Sequence, residues 1–135
     1  MKKLLFSLYK KVIKLFYGSN LSKYDIVRKT SGYMKNQLHP EFVEIEGNKI
    51  YLDENDSLFL SSSIHHEQTI VNLVKNEIKK GDVVIDIGAH IGYYTVLFAK
   101  LVGPKGRVFA FEASPTNFEI LKKNVNVNGY QNVTL

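Results

Sequence analysis

Continuous apolar runs alternate with stretches of helical spacing along the second half of the chain. The run from Val83 to Ile87 carries one polar residue, Asp86, and is typical of a strand buried in a parallel sheet. The Ser114-Pro115 pair marks the start of one helical stretch, and glycines mark where the helical stretches finish. The predicted strands are 83–87, 107–111 and 132–135, and the predicted helices are 93–101 and 115–127. This order predicts the first half of a doubly wound α/β fold.

The stretch before these runs predicts a hairpin and a further helix. Val43 and Ile45 alternate with glutamates, and Gly47-Asn48 is a two-residue turn signal, so residues 42–52 are expected to form a β-hairpin. Residues 53–56 include three acids and are expected to form a solvated loop. Calcium binding is not expected, because the Gly and the closing Glu of a calcium-binding loop are missing. Apolar residues with helical spacing predict a helix over residues 67–79 that ends at Gly81.

The N-terminal segment predicts a basic amphipathic helix. Its apolar positions fall within a sector of about 120°, and lysines occupy the opposite side. We expect this helix to dock on its own domain; the alternative is that residues 2–16 lie on an anionic membrane surface. No stretch reaches the ~18 apolar residues that a spanning helix needs. The apolar positions are Leu4, Leu5, Leu8, Val12, Leu15 and Phe16, and the lysines are Lys3, Lys10 and Lys14.

Composition and charge narrow the possible functions. The 135 residues include no cysteine, which excludes disulfides, thiolate metal sites and a cysteine nucleophile. The net charge of +5 is unevenly spread, because residues 1–35 hold nine Lys/Arg and one acid whereas residues 36–135 hold nine Lys/Arg and twelve acids. The acidic body argues against a nucleic-acid partner. The adjacent His65 and His66 have no carboxylate-rich partner set, so no metal site is expected. We expect a cytoplasmic protein, with possible peripheral contact to the membrane.

A glycine-bearing turn follows the first strand, where α/β folds of this type bind ligands. The dinucleotide pattern GxGxxG from Gly88 fails at His90 and Tyr93, whereas the pattern Asp-x-Gly-x-Gly-x-Gly from Asp86 fails only at His90. A carboxylate at Asp86 would repel a pyrophosphate but would favour the cationic groups of S-adenosylmethionine. Gly88 would allow close approach of the ligand, and Gly92 would let the helix start tightly against the sheet.

Glu112 is the second acidic candidate. It lies 24 residues after Gly88, at the predicted end of the next strand. An acid there accepts hydrogen bonds from ribose hydroxyls, which suits either a dinucleotide or S-adenosylmethionine. The simpler alternative is that Glu112 and Asp86 cap or pair locally.

Two motifs together resemble the FkbM family of methyltransferases. The first is the run from Gly81 to Thr95, and the second runs from Phe109 to Phe118 and continues with Leu121-Lys122-Lys123-Asn124. The resemblance covers residues 40–135 and implies a Rossmann-like class I methyltransferase fold that uses S-adenosylmethionine. It also implies O-methylation of a hydroxyl group on a sugar or natural-product acceptor.

The resemblance implies roles for six residues. They are Asp86, Gly88, Ala89, His90, Gly92 and Glu112, which would bind the cofactor. Thr69 is a weaker candidate. Family members usually have Asn where His90 stands and Pro where Ala113 stands. No catalytic base is assigned, although His39, His65, His66 and His90 are the histidines present.

The expected organisation has three parts. Residues 1–38 form the basic arm, residues 39–80 the lead-in hairpin and helix, and residues 81–135 the cofactor-binding half of a methyltransferase domain. The family's fold has four further strands, so this chain is expected to be an incomplete enzyme domain. A dinucleotide-binding module and a non-catalytic fragment that binds a membrane or a partner remain alternatives.

Overall fold

The computed structural model describes Leu5, Leu8, Tyr9 and Lys11, residues 40–61 and residues 68–135. The predicted elements are present in the predicted order, and most of their ends agree within two residues. The elements are β1 (Phe42–Ile45), β2 (Asn48–Tyr51), α1 (Gln68–Glu77), β3 (Val83–Ile87), α2 (Tyr93–Val102), β4 (Arg107–Phe111), α3 (Pro115–Val127) and β5 (Val133–Thr134).

The three later strands form a parallel sheet in the order β3-β4-β5. Val83 pairs with Arg107 and Ile87 pairs with Phe111, so β3 and β4 end side by side. The residues that follow them, Gly88 and Glu112, therefore share one edge of the sheet. This is the first half of a doubly wound α/β fold, as the sequence predicts.

The prediction that β3 is fully buried is wrong for one face of the sheet. Val83, Ile85 and Ile87 are 65%, 61% and 84% exposed, whereas Val108 and Ala110 of β4 are buried beneath the helices. Among the described residues, no element packs on the exposed face. A continuous apolar run signals strands covered on both faces, but burial requires a second layer.

The hairpin turn lies one residue earlier than predicted. Glu46 and Gly47 occupy the turn with positive φ angles of 54° and 74°, as a two-residue primed turn requires. Asn48 instead pairs with Ile45 as the first residue of β2. Its side chain is 3% exposed and accepts a hydrogen bond from the Tyr130 hydroxyl at 2.5 Å. This partly buried contact is compatible with the position of Asn48 in the strand.

Two asparagines of α3 join the hairpin to the helix layer. The Asn124 side chain accepts from the Tyr51 N–H at 2.7 Å and donates to the Tyr51 carbonyl at 3.0 Å. Asn128, one turn later, makes the same pair of bonds to Lys49 at 2.9 and 2.8 Å. The two amides thereby satisfy the backbone of alternate β2 residues, as a neighbouring strand would.

The larger of two buried apolar clusters connects the lead-in segment and the sheet. Ile50 of β2 and Val71 of α1 belong to the same buried cluster as Val96 of α2 and Leu121 of α3. The lead-in hairpin therefore packs on the outer side of the helices that cover the sheet, and the loop after it reaches the site described below.

The N-terminal segment is described at four residues, all in helical conformation. Leu5 and Leu8 are 46% and 58% exposed, so this part of the apolar stripe is not buried against the domain. The rest of the predicted stripe and lysine face, together with His39, His65 and His66, lies outside the described residues. Within the described ranges, no helix is both long and apolar enough to cross a bilayer, and no group of side chains could hold a metal ion.

Candidate functional site

The turn after β3 is attached to the end of β4. The N–H groups of Gly88 and Ala89 both donate to the Phe111 carbonyl at 2.9 Å. Gly88 has a φ of 77°, and a Cβ placed there would meet no atom within 4 Å. Ala89 is 6% exposed and packs in the core. The turn thus presents the bare backbone of Gly88 on the open side, where a ligand can approach closely.

A glycine is favoured at position 92 because the backbone there packs closely against α3, and not against the sheet. Gly92 is the N-cap of α2, has a φ of 87°, and a Cβ there would lie 2.5 Å from Leu121 Cδ1. The expectation that Gly92 lets α2 start tightly against the sheet is therefore corrected, because the close approach is to α3. The contact fixes where the N-terminus of α2 points.

Glu112 lies at the tip of β4 with both carboxylate oxygens engaged. Oε1 accepts from the Ser114 N–H and Oε2 accepts from the His90 N–H, each at 2.8 Å. The Ser114 hydrogen bond lowers the pKa of Glu112 most. Burial opposes this by raising the pKa, and the His90 N–H bond and the charge of His90 add to the lowering. An ionised carboxylate therefore stands beside Gly88, with lone pairs left to accept from hydroxyl groups.

Asp86 lies on the covered face of β3. Its Oδ2 accepts a hydrogen bond from the Thr95 hydroxyl at 2.5 Å. Burial raises the pKa of Asp86, the Thr95 bond opposes this, and the charge of Glu112 adds to it. Thr95 is a site residue that the sequence analysis missed, although it lies inside the first motif. Its position one turn into α2 from Gly92 was the available signal.

The loop after the hairpin contributes to the site, contrary to the prediction of a solvated loop over residues 53–56. Asp56 is 1% exposed and accepts from the Leu60 and Ser61 N–H groups at 2.8 and 3.1 Å. Ser57 Oγ lies 3.2 Å from His90 Nε2. The prediction is wrong for the buried Asp56, whereas Glu54 and Asn55 are exposed. Sequence alone gives no sign of the pairing of Ser57 with His90 across 33 positions.

Thr69, the weaker candidate, is exposed in the first turn of α1. None of the hydrogen bonds described above involves it. Of the six predicted cofactor residues, the structure brings Gly88, His90 and Glu112 together at the open edge, while Asp86, Ala89 and Gly92 support that edge from below.

These residues fit S-adenosylmethionine better than a phosphate-bearing cofactor. Glu112 is ionised and can accept from two hydroxyl groups, as a ribose offers. The open space over Gly88 admits a ligand, whereas two neighbouring carboxyl groups disfavour a pyrophosphate.

The comparisons with known proteins agree with this chemistry. The model of the TRM5/TYW2 methyltransferase domain matches residues 42–135. The protein-L-isoaspartate O-methyltransferase of Ignicoccus hospitalis is 37% identical over 59 residues, which are 44% of this chain and 28% of that protein. The enzyme of the same name from Triticum aestivum is 32% identical over 100 residues, which are 70% of this chain and 43% of that protein.

The described fold is the class I methyltransferase fold, and solved methyltransferase structures share it. The crystal structure of M. jannaschii TYW2 in complex with AdoMet has a TM-score of 0.55 and 28% identity, and it covers 69% of this chain and 40% of that chain. The chain therefore spans less than half of the length of these relatives.

Proposed function

Because this chain belongs to the TRM5/TYW2 methyltransferase domain family, we propose that the protein that contains it is an S-adenosylmethionine-dependent methyltransferase. The observation that carries the proposal is the pairing of the open Gly88 backbone with an ionised Glu112 at the adjacent strand end. Both lie at the carboxyl edge of a parallel sheet, where folds of this class hold ligands.

Each residue has a distinct part in this proposal. Glu112 accepts from the ribose hydroxyls, and Gly88 lets the cofactor lie against the backbone. Asp86, with its hydrogen-bonded Thr95, supplies negative potential on the methionine side. Bound S-adenosylmethionine supplies a methyl group that its positive sulfur has already activated. The described residues bind and orient, and proximity and alignment then account for most of the rate.

We propose an oxygen acceptor. The FkbM-like motifs favour a hydroxyl on a sugar or natural product, and the curated relatives are named O-methyltransferases. Transfer RNA is the second candidate, because TRM5/TYW2 relatives act on tRNA. The acidic balance of residues 36–135 favours the first candidate.

Cofactor binding is tested by isothermal titration of the 135-residue chain with S-adenosylhomocysteine and, separately, with NAD. We expect S-adenosylhomocysteine to bind and the Glu112→Ala variant to lose at least about tenfold in affinity, because hydrogen bonds to a charged acceptor are lost. The matched control is Glu119→Ala, an exposed acid on α3. Binding of NAD alone would replace the proposal with a dinucleotide-binding module.

The acceptor is tested with the longest natural form of the protein and S-adenosylmethionine labelled in the methyl group. Separate reactions contain hydroxyl-bearing glycans, an isoaspartyl peptide and tRNA. Label in the glycan fraction supports the proposed acceptor. Label confined to tRNA or to the peptide overturns it while leaving the methyltransferase proposal intact.

We also propose that the protein is cytoplasmic and that residues 2–16 contact membranes peripherally. The support is the basic amphipathic pattern and the exposure of Leu5 and Leu8. Liposome flotation tests this: binding that is equal on neutral and anionic vesicles, or absent from both, argues against it.

A further inference from the structure

In the loop that follows the hairpin, Ser57 lies between the carboxylate of Asp53 and the imidazole ring of His90. Ser57 Oγ lies 2.7 Å from Asp53 Oδ2 and 3.2 Å from His90 Nε2. A hydroxyl has one hydrogen, and here it is donated to the carboxylate. His90 Nε2 then carries a hydrogen and donates it to Ser57, which disfavours the ring form that has its only hydrogen on Nδ1.

Asp53, at one end of this connection, is also held by backbone hydrogen bonds. It accepts from the N–H groups of Asn55 and Ser57 at 3.0 to 3.2 Å. Burial raises the pKa of Asp53, but the Ser57 hydroxyl, these N–H groups and the charge of His90 together lower it. The carboxylate therefore remains an acceptor, and the Ser57 hydrogen stays directed toward it.

The other end of the connection reaches Glu112. His90 has a φ of 52°, a left-handed conformation that Asn and His tolerate better than most residues. In this conformation its N–H donates to Glu112 Oε2 at 2.8 Å. The ring's Nδ1 is buried and has no hydrogen-bond partner within residues 40–61 and 68–135. Ser57 is thus the described side chain that holds this ring by a hydrogen bond.

We propose that Ser57 and Asp53 are positioning residues for the cofactor site, which act by holding His90 so that its backbone N–H orients Glu112. The proposal rests on the proposed function of Glu112. It extends the site beyond the sheet edge to a loop that follows the lead-in hairpin. A surface hydrogen bond without a positioning role would leave cofactor affinity independent of the His90 ring form, so the two properties are measured together.

The test uses the longest natural form of the protein, with its histidines labelled with ¹⁵N. Long-range ¹H–¹⁵N correlation spectra identify the ring form of His90, whose signals are assigned with a His90→Asn variant. The variants are Ser57→Ala, Ser57→Thr and Asp53→Asn, and the matched control is Glu54→Gln in the same loop. S-adenosylhomocysteine affinity is measured on each by titration calorimetry.

We expect wild type and Ser57→Thr to carry the hydrogen on Nε2 and to bind equally. Ser57→Ala should lose the preference for that ring form and roughly 3- to 10-fold in affinity, the loss expected for one hydrogen bond. Asp53→Asn should behave similarly, and Glu54→Gln should match wild type.

Unchanged affinity in Ser57→Ala overturns the proposal, whether or not the ring form changes, while the proposed function stands. A wild-type chain with the expected ring form that does not bind S-adenosylhomocysteine overturns the proposed function instead, and the positioning role falls with it. The ring spectrum distinguishes these two failures, because it is recorded without cofactor.

Discussion

The two faces of the parallel sheet are equally apolar in sequence but are packed very differently. On the face beneath α2, Val108 and Ala110 are 0% and 1% exposed. On the opposite face, Ile85 and Phe111 are 61% and 57% exposed. Successive residues of β3 and β4 point to opposite faces of the sheet. Apolar side chains are therefore buried on one face and exposed to solvent on the other.

This difference shows that apolar composition predicts a capacity for burial and not burial itself. Removing apolar surface from water stabilises a fold by roughly 25 cal/mol per Å², but only where a second layer covers it. The residues of the candidate site are also divided between the covered face of the sheet and its open edge. Asp86 is supported on the covered side, whereas Gly88 and Glu112 lie at the strand ends. Four predictions test this division, in order of decreasing expected effect.

Leu121→Ala on the covered side should lower the free energy of unfolding by about 2–5 kcal/mol, because Leu121 is fully buried and its loss leaves a cavity. Ile87→Ala, at 84% exposed, should change the free energy by less than about 0.5 kcal/mol. Urea denaturation of both variants measures the contrast. Equal losses would mean that the two faces are not packed differently in solution.

Asn124→Ala should destabilise the chain by about 1–3 kcal/mol, because it leaves the backbone of Tyr51 and the Ile91 carbonyl without their partner. Asn126→Ala on the exposed side of the same helix is the matched control. Thermal unfolding of the two variants compares them. An Asn124 variant as stable as the control would show that the amide does not bind the hairpin to the helices.

Gly92→Ala should destabilise more than Gly88→Ala. Both positions have left-handed φ angles, which cost an L residue about 1–2 kcal/mol, but only Gly92 would also press a Cβ against Leu121. Chemical denaturation ranks the variants. If Gly88→Ala were the more damaging, the open side of the turn would be occupied by protein.

Opposite pH effects are expected from Asp86 and Glu112. Burial chiefly raises the pKa of Asp86, so the stability it contributes is present below its ordinary value of 3.8 and is lost as pH rises through its raised pKa. The Ser114 hydrogen bond chiefly lowers the pKa of Glu112, so its contribution is present above 4.5 and is lost as pH falls through its lowered pKa.

The measurement compares the stability of wild type with that of Asp86→Asn and Glu112→Gln between about pH 3 and pH 7. With rising pH, the advantage of wild type over Asp86→Asn should shrink, and its advantage over Glu112→Gln should grow. Two differences with the same slope would show that the two carboxyl groups share one environment.

Much of the fold could be predicted because its signals are local. Apolar runs and helical spacing placed the strands and helices, and Ser114 caps α3 as expected, with Pro115 in its first turn. The position of Gly88 and Glu112 at one edge of the sheet was predicted for the same reason, since both directly follow strands. The turn at Glu46-Gly47 was missed by one residue. Asn48 makes a long-range hydrogen bond with Tyr130 from the strand, and this contact leaves no local signal in the sequence.

The sequence by itself determined the order of the elements and the acidic residues at the strand ends, because each depends on neighbours within a few positions. The alternation of strands and helices then predicted a parallel sheet. The tertiary structure alone decided which face of β3 is covered, why Gly92 cannot carry a side chain, and that Ser57 lies beside His90. Each of these depends on surfaces that approach from distant parts of the chain. Such contacts are set by packing and leave no periodic signal in the residues themselves.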